Sequence, residues 1–190
     1  MNADYPALLD ACVLLPMPLA DTLLRMAETP RLYLPRWSEA IIAEVSRNLM
    51  GKPWNKTPEQ AQRRESVLRT HFPEAWVQGY DPLIPLMTNS PKDRHVLAAA
   101  VASGTRLIVT YNTADFPESS LAPWNIERQG PSTFLINLYA LDPGIVVRKL
   151  TEQAQNINLS LEALLWKLRV NVPGFVAHFC AEERIDLHLS

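Results

Sequence analysis

The sequence predicts an α/β domain built on a parallel sheet, followed by an all-helical C-terminal extension. Three observations carry this expectation. Short apolar runs at residues 5–9 and 107–110 lack polar alternation and read as strands buried on both faces. They are interleaved with longer segments of helical periodicity, one of which leads through a glycine directly into a strand. Beyond Gly130 the apolar spacing is helical throughout and no strand alternation is visible.

The elements follow in order. Residues 5–9 form the first strand, ending at Asp10. Pro16 and Pro18 break the chain before ADTLLRMAET, where Leu23, Leu24 and Ala27 are spaced for an amphipathic helix. Residues 31–34 read as a second strand stopped by Pro35. Ser38 is a plausible N-cap for a helix with Ile41, Ile42, Val45 and Leu49 on one apolar face. After a loop at 51–55, Thr57, Pro58 and Gln60 supply a cap, a proline at the first helical position and a capping-box partner. That helix is expected to run to about Thr70, before Phe72 and Pro73. Ser90 and Pro91 start the next helix, HVLAAAVAS continues it, and Gly104 is a natural residue just past its end. The strand at 107–110 follows at once. Residues 132–141, 143–155, 160–170 and 173–183 complete the chain as helices. The expected division is an α/β domain at 1–130 and a helical extension at 131–190.

Composition excludes several classes. The 190-residue chain is 47% hydrophobic and 20% charged, ordinary for a globular protein. Its formal net charge of -2 gives no global basic field, although a local patch can still meet nucleic acid. Cys12 and Cys180 form neither a disulfide framework nor a metal-ligand spacing, and a reducing cytoplasmic setting fits them best. MNADYPALLDACVLL has no basic flank and carries Asp10 within its apolar run, so a signal peptide is not expected. No apolar run approaches the length of a membrane span.

The most informative residues are four acids: Asp10, Glu44, Asp93 and Asp115. Two follow buried-strand runs and two lie near helix starts, and in an α/β sheet these places meet at one edge. Each has a local alternative. Asp10 and Asp115, with Asn112 nearby, suit turn chemistry. Glu44 suits a solvated helix face. Asp93 falls where its carboxylate can close a capping box begun at Ser90. Together, four converging carboxylates need a positive partner, and a divalent metal bound through oxygen supplies one.

The segments LLDACVL, the AEV around Glu44, SPKDRHVLAAAVASG and LIVTYNTADFP resemble the PIN (PilT N-terminus) nuclease family, in particular its VapC-like toxin branch, over residues 5–130. The resemblance implies a three-layer α/β/α fold with a parallel central sheet. It implies that Asp10, Glu44, Asp93 and Asp115 surround Mg²⁺ or Mn²⁺ for phosphodiester hydrolysis. Thr110 and Asn112 are then supporting polar groups that hold a metal-bound water or the phosphate. Glu39, on the same helix as Glu44, competes with it for the match. The implied function is a metal-dependent endoribonuclease, the toxin of a type II toxin–antitoxin pair. Its implied partners are an RNA substrate and a cognate antitoxin, with a homodimer surface possible. The family pattern assigns no role to the helical extension. The competing reading keeps the fold as a non-catalytic protein-binding module.

Other enzyme classes fit less well. A haloacid-dehalogenase-type phosphatase wants an acid where Cys12 stands, a receiver domain wants an acidic pair near the first strand, and no glycine-rich phosphate loop occurs. Arg36, Lys92, Arg94 and His95 are candidates for phosphate contact, solvated charge being the commoner role. The five tryptophans are more readily packing residues than base-stacking platforms.

Overall fold

The computed structural model describes residues 3–187. In chain order the elements are β1 (Pro6–Leu9), α1 (Ala11–Leu14), α2 (Leu19–Ala27), β2 (Leu34–Ser38), α3 (Glu39–Met50), α4 (Pro58–His71), β3 (Trp76–Val77), α5 (Arg94–Ala102), β4 (Leu107–Val109), α6 (Glu118–Leu121) and β5 (Glu127–Gln129). Four helices follow: α7 (Pro131–Leu141), α8 (Pro143–Asn156), α9 (Leu161–Leu168) and α10 (Pro173–Glu183). Two compact units result. The α/β unit comprises Tyr5–Leu15 and Leu34–Gln129, and the helical unit joins Pro16–Tyr33 to the C-terminal helices. A single cut at residue 130 would leave α2 with the sheet, whereas the structure groups it with α8.

The α/β unit is a five-stranded sheet in the order β3-β2-β1-β4-β5. All four pairings are parallel. In the central strand β1, Ala7, Leu8 and Leu9 are all fully buried. Successive side chains point to opposite faces, so both faces of the sheet are covered, as its uninterrupted apolar sequence requires. The chain passes from β1 outward through β2 and β3, then returns to the other side of β1 with β4. The order therefore reverses between β1 and β4. In an open parallel sheet, the crevice beyond the carboxyl ends of two such strands is where ligands bind.

The second strand is Leu34–Ser38 rather than the expected 31–34, and it runs through Pro35 instead of stopping there. The Leu34 N–H donates to the Tyr5 carbonyl, so Leu34 and Arg36 face β1 while Pro35 faces the other side. On that side β3 begins only at the position paired with Trp37. The missing proline N–H thus breaks no ladder bond. Two strands escaped expectation for different reasons. β3 has only two residues, and β5 is the polar edge sequence ERQ with no apolar signal.

Helix α3 matches its expected pattern. Ser38 Oγ accepts from the Ile41 N–H, and Ile41, Ile42, Val45 and Leu49 are buried. α4 carries the full Thr57–Gln60 capping box. Gly104, at φ +64°, takes the left-handed turn that ends α5, and its N–H donates to the Val101 carbonyl.

In the helical unit, α2 packs against α8. The buried Lys149 ammonium donates to the carbonyls of Arg25 and Glu28 at 2.6 and 2.9 Å, closing the C-terminal end of α2. Beside it, Thr22 Oγ1 donates to Gln153 Oε1 at 2.8 Å. Tyr33 stacks edge-on against Phe134, and Tyr139 does so against His178 and Phe179. Among the described residues no helix is long and apolar enough to cross a membrane.

Candidate active site

All six polar residues singled out by the sequence belong to the α/β unit. They collect beyond the carboxyl ends of β1 and β4, at the reversal of strand order. Asp10 is the first residue past β1 and is only 2% exposed. Its Oδ1 accepts from the Ala11 N–H at 2.7 Å, so it does cap the short helix α1. Its Oδ2 accepts from Thr110 Oγ1 at 2.7 Å and from Cys12 Sγ at 3.2 Å. Thr110 is fully buried just past β4, and its hydroxyl also accepts from the Asn112 N–H at 2.9 Å. This chain of bonds ties the ends of the two central strands together and fixes the orientation of the Asp10 carboxylate. Burial, with the Asp10 charge beside it, pushes the Cys12 thiol up to about 12. The thiol therefore stays protonated and serves as a donor, not a nucleophile.

At Asp93 the capping box expected from the sequence is not formed. Ser90 makes no side-chain cap bond, Pro91–Asp93 form a 3₁₀ turn, and α5 starts only at Arg94. Asp93 stands at the N-cap position of α5, yet its carboxylate bonds no helix N–H. The expected capping box is absent because Ser90 turns instead to Asp115: its N–H donates to the Asp115 carbonyl, and its side chain bonds the Asp115 carboxylate. Asp93 is 5% exposed and its Oδ2 has no hydrogen-bond partner among the described residues. Burial raises its pKa from the usual 3.8 to about 6, helped by the charges of Asp10, Asp115 and Glu44 and opposed by Lys92. The other three acids are thus within electrostatic reach of Asp93.

Glu44 is half-buried on α3, its pKa raised by burial and by the Asp10 charge. Its Oε2 lies 3.9 Å from His95 Nε2, whose own pKa is lowered by burial. Glu39 points elsewhere, to an exposed ion pair with Arg69 at 2.6 Å. Asp115 ends the 3₁₀ turn Thr113–Asp115 and meets Lys92 Nζ at 2.9 Å, an interaction that holds its pKa below the usual carboxylate range. The same ammonium lies 3.7 Å from Asp93 Oδ2.

A cleft of ≈ 500 Å³ opens here, lined by Ala40, Glu44, Arg47, Asn48, Lys92, Asp93, His95 and Asn112. Of the candidate phosphate contacts, Lys92 and His95 line it. Arg36 is engaged by the carbonyls of Pro35 and Glu74, and Arg94 Nε faces the Asn89 carbonyl at 3.5 Å. Arg47 and Asn48 went unnoticed in the sequence, although they follow Glu44 by three and four residues and so share its helix face. Trp37, fully buried, packs edge-on against the half-buried Trp76, so both serve packing.

Whether these residues fit a divalent cation can be judged from the carboxylates. Asp93 Oδ2 is a buried acceptor lacking a donor, three further acids repel it, and oxygen donors suit Mg²⁺ or Mn²⁺. The side-chain ammonium of Lys92 already occupies part of the place of positive charge. Among the described residues no group of three or more His, Cys, Asp or Glu is drawn together tightly enough to be a finished chelate. The donor set therefore fits a hard cation in chemistry and charge.

A parallel sheet with this strand order and acids at its reversal point defines a class of protein, and comparison with known families agrees. The family model described as PIN domain matches residues 6–114, more than half of the chain. The protein belongs to the PIN domain family. A Mycobacterium tuberculosis protein named "Putative ribonuclease VapC50" is 33% identical over 131 residues, a span covering 67% of this chain and 73% of that protein. No solved structure matches the chain.

Proposed function

We propose that the protein is a metal-dependent endoribonuclease and the toxin of a type II toxin–antitoxin pair. Its substrate would be RNA, its partner an antitoxin, and its setting the cytoplasm. The observation that carries the reading is Asp93: a buried carboxylate with an unpartnered oxygen, facing three further acids at the reversal point of a parallel sheet. The family membership and the name of the mycobacterial relative support the same reading.

Asp10, Asp93, Asp115 and Glu44 would hold Mg²⁺ or Mn²⁺. When bound, such an ion supplies an activated water and neutralises phosphate charge. The residues themselves do the positioning. Thr110 and Cys12 lock the Asp10 carboxylate, leaving it no freedom to turn away. Glu44, its pKa raised by burial and by the Asp10 charge, is suited to accept a proton from the attacking water at a carboxylate oxygen. The exposed Lys92 ammonium can leave Asp115 for a phosphate oxygen, and Asn112 offers a neutral contact on the same wall.

One observation favours the alternative of a non-catalytic binding module: Lys92 sits among the acids, and they form no finished chelate. An assay separates the two. Labelled single-stranded RNA should be cut with Mg²⁺ or Mn²⁺, and excess EDTA should stop cleavage. Asp10→Asn and Asp93→Asn should abolish it while circular dichroism stays native. Cleavage that survives EDTA, or both substitutions, rejects the metal mechanism. A folded wild type that neither binds Mn²⁺ nor cuts RNA establishes the binding-module reading. The antitoxin is tested by co-purification from the native operon. A homodimer surface, and the role of residues 131–190 as an extension, are proposals to be tested by sedimentation and truncation.

A further inference from the structure

The cleft contains one cation whose role the acids do not explain. Lys92 is engaged by Asp115 and Asp93. Arg47, on the same cleft, is exposed and has neither a hydrogen bond nor an ion pair among the described residues. Its charge is nonetheless felt within the cleft, lowering the pKa values of both Glu44 and His95. Ala40, Glu44, Arg47 and Asn48 lie along one face of α3 and all line the cleft. Three residues of helix advance about 4.5 Å, so the Arg47 backbone stands just under one turn of α3 beyond that of Glu44. Asn48 beside it adds a neutral amide donor.

We propose that Arg47, assisted by Asn48, is the subsite for a backbone phosphate adjacent to the cleaved linkage of a single-stranded RNA. The inference rests on the ribonuclease reading and deepens it. A guanidinium offers a planar fork of donors matched to phosphate oxygens, and the other cation of the cleft, Lys92, is engaged by Asp93 and Asp115. Arg47 also lies in the last turn of α3, where a cation favours the helix dipole. A role confined to that dipole would alter melting temperature alone, which gives the test its control.

The experiment measures binding of a fluorescein-labelled oligouridylate to the full chain by anisotropy. Ca²⁺ replaces Mg²⁺, salt is varied, and a gel verifies that the RNA stays intact. For single strands each phosphate contact adds about 0.7 to the slope of log affinity against log salt. Arg47→Ala should lose about 0.7 of that slope, whereas Arg47→Lys should retain it. Replacing one linkage at a time by a neutral methylphosphonate should weaken wild-type binding at a linkage next to the cut, and Arg47→Ala should be indifferent there. If the wild type cuts RNA with metal while Arg47→Ala matches it in slope and linkage scan, the subsite is overturned and the ribonuclease reading stands. A folded wild type that neither binds nor cuts RNA overturns both.

Discussion

Replacing Asp93 by asparagine removes the charge that the fold tolerates least while keeping the side chain's shape. The ionised carboxylate is buried, one oxygen is unpartnered, and its pKa stands at about 6 against the usual 3.8. A rise of that size means that ionised Asp93 costs the metal-free fold about 3 kcal/mol relative to the protonated form. The sign follows from linkage. A carboxylate whose folded pKa is raised favours folding fully below its unfolded pKa and loses that contribution as pH rises through about 6. Asparagine does not titrate. Above pH 6 the variant should therefore be more stable than wild type by up to about 3 kcal/mol, the Lys92 attraction being already contained in the net shift. For a chain of this size each kcal/mol is about 2–4 °C in melting temperature. Urea denaturation in EDTA at pH 7.5 and pH 5, as the difference between variant and wild type, isolates Asp93 from the other carboxylates. Wild type should gain about 2.7 kcal/mol at Mn²⁺ a hundredfold above its dissociation constant, and the variant much less. A variant melting well below wild type at both pH values, with neither responding to Mn²⁺, would mean that Asp93 is a structural residue of the α5 entry, and the site assignment would fall with it.

Three further outcomes are expected. Thr110→Val removes the 2.7 Å donor to Asp10 Oδ2; denaturation should show a loss of about 1–3 kcal/mol, and calorimetry should show weaker Mn²⁺ binding. An undiminished affinity would mean that Asp10 is held without Thr110. Lys92→Met frees Asp115 from its competing cation, so Mn²⁺ should bind more tightly while RNA binding weakens; looser metal binding contradicts the exchange. Since a cation must displace the Asp93 proton, apparent Mn²⁺ affinity should drop about tenfold per pH unit below about 6. A flat titration between pH 5 and pH 7 would remove Asp93 from the ligand set.

Much of this molecule could be read from local chemistry, because helix ends and buried strands are specified by residues close in sequence. The Thr57–Gln60 capping box, the Ser38 cap and the Gly104 turn needed only nearest neighbours, and each is present in the structure. The central strands β1 and β4 announced themselves by unbroken apolar runs, since a strand covered on both faces has no polar side to show. Asp10 and Thr110 were visible for a related reason: charged or polar groups placed directly after such runs need partners. What local chemistry could not decide depended on residues far apart in the chain. Pro35 looked like a strand end until β3, on the side it faces, proved to begin only opposite Trp37. Asp93 looked like a helix cap until Ser90 was found turned toward Asp115, 25 residues later. Arg47 drew no notice in the sequence, and only the fold, by setting α3 beside the start of α5, put it in the cleft. Segment Pro16–Tyr33 joins the C-terminal helices because Lys149 and Gln153, more than a hundred residues away, satisfy its buried carbonyls and hydroxyl. Local sequence determined which groups would demand partners, and only the tertiary structure decided which partners they found, because a buried charge or hydrogen bond is answered by whatever the fold brings within about 3 Å of it.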